Sequence, residues 1–193
     1  MTADAHAATE AGIAASLARG DLREAATLLV RDYGAQILGY LCSVLRDDAA
    51  ADEAYGRFCE ELWKGLGGFR GESSARTWAY RVAWSCALRV VEDPHARRGR
   101  RLLTAEVSAL AAGARSTLRP YERPAAHDWL RRMRETLSLE EQTLLILRVD
   151  RAMPWRDVAL VLGSGVEPAA LRKRFDRLKR RLHAAARAEG LVE

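Results

Sequence analysis

Two stretches of the sequence combine basic side chains with residue types that bind nucleic acid. The first, FRGESSARTWAYRVAW at residues 69–84, holds three arginines, two adjacent serines and four large aromatic residues. Aromatic rings stack on unpaired bases and arginines pair with phosphates, so this composition suits single-stranded nucleic acid. The second, LRKRFDRLKRRL at residues 171–182, carries seven arginines and lysines, which suits a polyanionic partner such as a DNA duplex.

The second stretch has the period of an amphipathic helix. Its apolar residues follow at spacings of four, three and four: Leu171, Phe175, Leu178 and Leu182. A short helix that starts at Pro154 and ends at Gly163 precedes it, and the pair predicts a helix-turn-helix. We expect the basic residues near the start of the last helix to reach base edges: Arg172, Lys173, Arg174 and Arg177. We expect the later ones to contact phosphates or solvent: Lys179, Arg180 and Arg181. The alternative is a solvated basic helix.

The first stretch predicts a helix from Ser74 to Val91 that admits two interpretations of its rings. Helical periodicity gives one apolar face, formed by Ala79, Val82, Ala83, Cys86 and Val90. The other side then carries Tyr80, Arg81, Trp84, Ser85 and Leu88, with Trp78 beside the apolar face. On this interpretation Tyr80 and Trp84 are exposed and stack on a single strand. The alternative is that both rings are buried against the preceding helix over residues 21–45.

Residues that would form an active site or a metal site do not cluster in the sequence. The glycine-rich segment GLGGFRG lacks the Gly-Lys-Ser/Thr ending of a phosphate-binding loop. The histidines are scattered and no Cys-x-x-Cys pair exists among the cysteines: His6, His95, His127, His183, Cys42, Cys59 and Cys86. We therefore expect no catalytic residue, no cofactor and no bound metal.

The overall charge indicates the kind of binding partner, and the N-terminal residues indicate the cellular compartment. A net charge of +5 and a pI near 9.4 suit a polyanionic partner. The N-terminus has acidic residues where a signal peptide has basic ones, and no apolar run approaches the length of a membrane span. We expect a cytoplasmic protein without a membrane partner.

Helical periodicity and capping residues predict an all-α fold of two small domains. Asp47 or Asp48 is suited to cap one helix, and Ser138 with Glu141 forms a capping box ahead of another. Pro94 and Gly99 begin a basic, proline-marked segment that is typical of a linker. The predicted organisation is an N-terminal extension at 1–20, a helical domain at 21–92, a flexible linker at 93–126 with a short amphipathic segment at 102–110, and a helix-turn-helix domain at 127–193.

These two motifs resemble those of the extracytoplasmic-function (ECF) group of bacterial sigma factors. FRGESSARTWAYRVAWS matches the family's first motif in order and spacing, and LSLEEQTLLILRVDRAMPWRDVALVLG followed by LRKRFDRLKRRL is similar to its second. The resemblance covers about Asp21–Val91 and Leu137–Leu182. It implies two helical domains, called regions 2 and 4, that bind core RNA polymerase and promoter DNA without catalytic residues of their own.

The resemblance also implies roles for particular residues. Those that capture the non-template strand at the minus-ten element correspond to Phe69, Arg70, Ser73, Arg76, Tyr80, Arg81, Trp84 and Ser85. The helix from Ala169 would read the minus-thirty-five element. Residues that dock on the β′ clamp correspond to Asp52, Glu53, Arg57, Glu60 and Trp63. The β flap of the polymerase and an anti-sigma factor are the further partners implied.

Three features depart from the family pattern. Glu53 and Gly56 stand in the clamp-docking helix where relatives often have Asp and Gln. Trp84 and Ser85 replace an Arg-Asn pair, so a base preference set by that asparagine is not carried over. The turn through Ser164–Pro168 is longer than usual, which affects the register of the last helix.

Two other functions fit the same residues. A free-standing helix-turn-helix regulator would use its N-terminal helices to bind a partner other than polymerase. An all-helical adaptor would bind an acidic protein through its basic helix and would show no salt-sensitive DNA binding. An enzyme is the weakest alternative, because the sequence offers no site for one.

Overall fold

A computed structural model describes residues 3–92, 132–133, 136–163 and 165–190, and its regular elements there are all helical. The prediction of an all-α fold is confirmed. The chain divides into two compact units. The predicted linker at 93–126, its amphipathic segment at 102–110 and the start of the second domain at 127 lie outside the described residues.

Within residues 3–92, the described part of the first unit, the chain forms four α-helices and a short 3-10 helix. Their bounds are α1 Ala3–Ala18, α2 Leu22–Leu45, α3 Asp48–Gly65, the 3-10 helix Leu66–Gly68, and α4 Ala75–Glu92. The side chain of Asp21 caps α2 by accepting from the Glu24 amide at 3.0 Å, and Asp47 caps α3 by accepting from the Ala50 amide at 2.8 Å. Helix α2 therefore lies within the predicted helix over residues 21–45, and α3 begins directly after Asp47, one of its two predicted caps.

Buried aromatic rings hold the helices of this unit together. α2 packs against α1, α3 and α4, and the largest fully buried side chains are aromatic: Tyr33, Tyr40, Tyr55, Tyr80 and Phe58. Gly34 on α2 makes room for α3, because a Cβ atom there would lie 2.6 Å from the hydroxyl of Tyr55. The core therefore depends on close approach of helices at small residues as well as on apolar area.

Helix α1 falls in the segment that the sequence assigned to an N-terminal extension. It packs on α2 within the same compact unit, with Ile13 only 1% exposed. Thr9 donates its hydroxyl hydrogen bond to Asp32 on α2 at 2.8 Å. Alanine and other small residues dominate α1, so its sequence has little of the apolar–polar contrast from which an amphipathic helix is recognised.

The second unit contains the predicted helix-turn-helix. Its elements are α5 Leu139–Leu145, which continues as a π-helical turn Ile146–Asp150, then α6 Trp155–Leu162 and α7 Pro168–Ala188. The capping box at Ser138 and Glu141 is present. Pro154 is the residue just before α6, and Gly163 ends that helix with a φ of +122°, which favours glycine.

Helix α7 is held by the apolar seam that its periodicity predicts. Leu171, Phe175 and Leu178 are buried, whereas Leu182 is half-buried. The ring of Phe175 meets the ring of Trp155 edge-on, with centroids 5.5 Å apart. This contact fixes α7 against α6 and leaves most of the basic residues of α7 on the exposed surface.

Candidate nucleic-acid interface

A groove lies where α3 ends and α4 begins. It has a volume of about 470 Å3 and is lined by two aromatic rings and three arginines, together with polar and small residues. The 3-10 helix Leu66–Gly68 ends α3, and the loop over residues 69–74 turns the chain back into α4 with Gly71 at a φ of +69°. We refer to this feature as the α3–α4 groove.

The two rings of the α3–α4 groove are those of Phe69 and Trp78. Their centroids are 5.3 Å apart and their planes are inclined by 47°. Gly65 lets the indole lie across the end of α3, because a Cβ atom there would be 3.1 Å from a ring carbon of Trp78. Both residues are half-buried, so each ring is fixed by packing while part of it faces the groove.

The charges around the groove favour an anion. Arg70, Arg81 and Arg89 line it together with Glu61 and Glu72. Arg89 and Glu61 are 3.8 Å apart between charged atoms and both are largely exposed, so solvent screens their pairing. Arginine beside aromatic rings is the combination that binds a single strand, since the guanidinium pairs with phosphate and the ring stacks on a base.

Five of the eight residues predicted to capture a strand line this groove: Phe69, Arg70, Ser73, Arg81 and Ser85. Of the two interpretations of Tyr80 and Trp84, the one in which both rings are exposed and stack on a strand is wrong, because Tyr80 is 0% and Trp84 8% exposed. Tyr80 packs edge-on against Tyr40 of α2, with centroids 5.5 Å apart. Arg76 lies over the Tyr80 ring, with its guanidinium carbon 5.9 Å from the centroid.

The error has a physical cause. Helix α4 packs against α1, α2 and α3, so its buried surface is wider than the single apolar face that periodicity assumes. Tyr80 and Trp84 are one turn apart and fall within this wider surface. Trp78, which periodicity places beside the apolar face, reaches the groove. The signal that could have found it is the glycine run over residues 65–68, which removes side chains from the end of α3.

The groove contains a cysteine that is chemically inert at neutral pH. Cys86 lines the groove but is only 1% exposed, and burial raises its pKa to about 11. Burial and the nearby Cys86 raise the pKa of Cys59 to about 12. Both thiols stay protonated, and the part of the chain that the structure describes holds no group of three side chains suited to bind a metal ion.

The basic helix α7 is partly neutralised by α5. Arg174 donates to Glu140, and Arg181 donates to Glu141 at 2.8 Å. Although burial opposes the change, the hydrogen bonds from Arg181 and from Ser138 hold the pKa of Glu141 below its ordinary value. Of the basic residues predicted to contact DNA, Arg174 and Arg181 are thus directed toward α5.

Other basic residues of α7 lie on its outer side. At about 100° per residue, Lys173 and Arg180 are opposite the buried seam of Leu171 and Leu178, and both are exposed. Arg177 is also exposed. Arg172 lies in a shallow depression that Trp155 and other residues of α6 help to line. The outer side of α7 therefore presents cations over about two helical turns.

The residues predicted to dock on polymerase lie on α3. Trp63 is 54% exposed, which is unusual for so large an apolar side chain. Glu53 and Arg57 form an ion pair at 2.9 Å, Glu60 approaches Lys64 at 3.8 Å, and Asp52 is half-buried. This surface combines an exposed indole with charges that are largely matched within the helix.

Comparison with known proteins agrees with this arrangement. A family model described as Sigma-70 region 2 matches residues 29–101, which include the α3–α4 groove. The chain is also similar to the RNA polymerase sigma-H factor of Pseudomonas aeruginosa, with 28% identity over 162 residues, covering 77% of this chain and 79% of the relative. Within the described residues, no helix has both the length and the apolar character needed to cross a membrane.

The region 2 match contains a groove of rings and arginines, and the second unit contains a basic helix-turn-helix. The chain is therefore similar to Sigma-70 region 2 in its first unit and, over most of its length, to a relative that is named as a sigma factor.

Proposed function

We propose that this chain is a sigma factor of the ECF type that acts in the cytoplasm and directs core polymerase to promoters with a minus-ten and a minus-thirty-five element. The observation that carries the proposal is the α3–α4 groove, in which Phe69 and Trp78 lie beside Arg70 and Arg81 within the region 2 match. The protein contributes binding energy to promoter melting, and the chemistry of RNA synthesis belongs to the core enzyme.

At the minus-ten element the groove binds the non-template strand after the duplex opens. Each base in a duplex is stacked between its neighbours, so an aromatic side chain can stack on a base only after that base has left the duplex. Stacking on Trp78 and Phe69, with phosphates on Arg70 and Arg81, then opposes re-pairing of the strands. The rings of Tyr80 and Trp84 are buried and contribute to strand capture only through the stability of the fold.

At the minus-thirty-five element α7 enters the major groove of the duplex. Arg172, Lys173 and Arg177 lie near its N-terminus and are exposed, where a helix-turn-helix reaches base edges. Arg174 is engaged by Glu140 and therefore contributes less to DNA binding than these three residues. Arg180 lies a turn or more further along and pairs with phosphate.

Polymerase binds to α3 and to the second unit. The exposed indole of Trp63, with Asp52 and Glu60 on the same helix, forms the surface for the β′ clamp, where a large ring at the centre of a contact supplies most of the energy. Glu53 and Arg57 pair with each other and position this surface. The β flap binds the second unit, and an anti-sigma factor competes with core polymerase for these surfaces.

Run-off transcription tests the proposal as a whole. Core polymerase, with and without this protein, is supplied with the DNA upstream of its own gene as template. We expect a defined transcript only when the protein is present. A DNA-binding protein that gives no transcript and does not co-purify with core polymerase would be a free-standing regulator, and absence of salt-sensitive DNA binding would indicate an adaptor.

Trp78→Ala tests the groove. Because stacking is worth about 1–3 kcal/mol per base, the holoenzyme should bind fork-junction DNA with a single-stranded minus-ten element roughly 5- to 150-fold more weakly. A pre-melted bubble template should restore much of the transcription. Trp63→Ala is the matched control: it removes an exposed indole outside the groove, and should weaken core binding while the fork affinity of assembled holoenzyme stays unchanged. Normal fork binding by Trp78→Ala would contradict the assignment.

A further inference from the structure

The carboxylate of Glu10 on α1 caps the N-terminus of α4. One oxygen accepts from the backbone amide of Ala75 at 2.7 Å, and the other accepts from the amide of Arg76 at 2.9 Å. The same second oxygen accepts from the hydroxyl of Tyr33 at 3.0 Å. The first amides of a helix have no partner within the helix and carry partial positive charge, so a carboxylate is suited to this position.

The local sequence supplies only part of the cap of α4. Ser74 accepts from the amide of Thr77 at 3.0 Å. The amides of Ala75 and Arg76 are satisfied by Glu10, which is 65 and 66 residues away in the chain. The start of α4 is therefore a tertiary feature whose geometry depends on where α1 lies.

Several contacts hold the Glu10 carboxylate in place. Ile13 buries α1 against the unit, and Thr9 binds Asp32 of α2. The ring of His6 stacks on Tyr33, with centroids 5.8 Å apart. Burial and the adjacent Glu10 raise the pKa of Tyr33, so its hydroxyl keeps the proton that it donates to Glu10.

The capped turn of α4 is also one wall of the groove. The loop over residues 69–74 enters α4 at Ala75, and Trp78 lies one turn further along. We propose that Glu10 is a positioning residue for strand binding, which fixes the first turn of α4 and with it Trp78 and the loop. This inference rests on the proposed function of the groove. The N-terminus of a helix can bind a phosphate, but in α4 this position is occupied by the carboxylate of Glu10. The phosphates of the strand would therefore bind Arg70 and Arg81.

The test uses full-length Glu10→Ala and Glu10→Gln assembled with core polymerase, at a temperature where circular dichroism shows both to be fully helical. Affinity is measured for fork-junction DNA with a single-stranded minus-ten element. We expect Glu10→Ala to bind roughly 3- to 10-fold more weakly, the range for losing a helix cap. Glu10→Gln, which keeps an acceptor oxygen, should lose less. Affinity for core polymerase and for duplex minus-thirty-five DNA should be unchanged.

Thr9→Val is the matched control, since it removes a bond between α1 and α2 and leaves the Glu10 carboxylate in place. It should keep wild-type fork affinity. Equal losses in Thr9→Val and Glu10→Ala, or a Glu10→Ala protein with a lower melting temperature and normal fork affinity, would overturn the proposal.

Hydrogen exchange separates this proposal from the proposed function. The amides of residues 75–78 should exchange faster in Glu10→Ala than in the wild type, both with and without bound DNA. In Thr9→Val they should exchange at the wild-type rate. If wild-type holoenzyme does not bind fork DNA, the proposed function fails, and unchanged exchange at these amides overturns the role of Glu10.

Discussion

The α3–α4 groove and helix α7 are both rich in arginine, yet they present it in opposite ways. The groove is concave and sets arginines around two partly exposed rings, Phe69 and Trp78. Helix α7 is convex, and its one aromatic ring, Phe175, is turned inward and 8% exposed. A ring stacks only on an unpaired base, whereas a duplex offers phosphates and base edges. On the proposed function, the two surfaces would therefore bind two states of the same promoter, the melted and the closed one.

The two surfaces also differ in what holds them. The groove is assembled from the end of α3, a loop and the start of α4, with the carboxylate of Glu10 from α1 behind it. Helix α7 needs only its apolar seam and two ion pairs to α5. Substitutions in the core of the first unit should therefore disturb its DNA surface, whereas α7 should tolerate changes one residue at a time.

The largest effect should separate the two tryptophans of α4. Trp84→Ala should lower the free energy of unfolding by about 3–5 kcal/mol, because it empties a buried site. Trp78→Ala should cost about 1–2 kcal/mol, since a half-buried ring loses less contact area. Urea unfolding of the full chain, followed by circular dichroism, measures both. Equal losses would mean that Trp78 is a core residue and would remove the main ring from the groove.

The next effect concerns α7 and duplex DNA. Arg177→Ala should weaken binding to the minus-thirty-five element by about 1–3 kcal/mol and relax the preference at one base pair. Arg174→Ala should lose less, because its guanidinium is engaged by Glu140. Lys179→Ala is the control for a phosphate contact and should weaken all sequences alike, with a salt slope lower by about 1. Equal, sequence-independent losses at Arg174, Arg177 and Lys179 would show that α7 does not read bases.

Alkaline pH should weaken the first unit before the second. The weak acids with raised pKa values, among residues the structure describes, lie in the first unit: Tyr33, Tyr55, Cys59 and Cys86. Cys86 has a pKa of about 11 when folded and an ordinary value of 9. Below pH 9 the Cys86 thiol keeps its proton in both the folded and the unfolded state, so its contribution to the free energy of unfolding is fully present. Above pH 9 the unfolded state loses the proton first, and stability falls by about 1.4 kcal/mol per pH unit for each such thiol.

Urea unfolding between pH 8 and pH 10.5 measures this loss. Replacing Cys59 and Cys86 together by alanine should flatten the decline, because the remaining tyrosines have higher ordinary pKa values. A decline of the same steepness in the double variant would assign the effect to other groups. If the second unit unfolds at a lower pH than the first, the expected order of the two units is wrong.

The sequence predicts local features of this molecule well. The caps at Asp47 and Ser138 and the seam of α7 were identified correctly because each depends on residues within two helical turns. The all-α fold followed from the same local signals. The resemblance to sigma factors rested on motifs whose order and spacing are visible in the chain, and the region 2 match and the similarity to a relative named as a sigma factor agree with it.

Features that depend on distant residues could not be predicted in this way. The exposure of Trp78 and the burial of Trp84 are decided by how α4 packs on three other helices. The cap supplied by Glu10 joins residues more than 60 positions apart. Helix α1 itself has small residues on all sides, and its burial becomes evident only when α2 is placed beside it. Domain bounds and the individual roles of the site residues stay predictions.

The smallest effect should come from the ion pair between Glu140 and Arg174. Both side chains are nearly half exposed, so Glu140→Gln should change the free energy of unfolding by about 0.2–1 kcal/mol. The same substitution removes a negative charge beside α7 and releases a guanidinium, so duplex affinity should rise, by roughly 2- to 3-fold at low salt. Glu141→Gln is the contrast. Glu141 also closes the capping box by accepting from the Ser138 amide at 3.0 Å, so its loss should cost more stability while releasing Arg181. If Glu140→Gln weakens duplex binding at every salt concentration, the pair aligns Arg174 for DNA, and the flank of α7 belongs to the recognition surface together with its outer side.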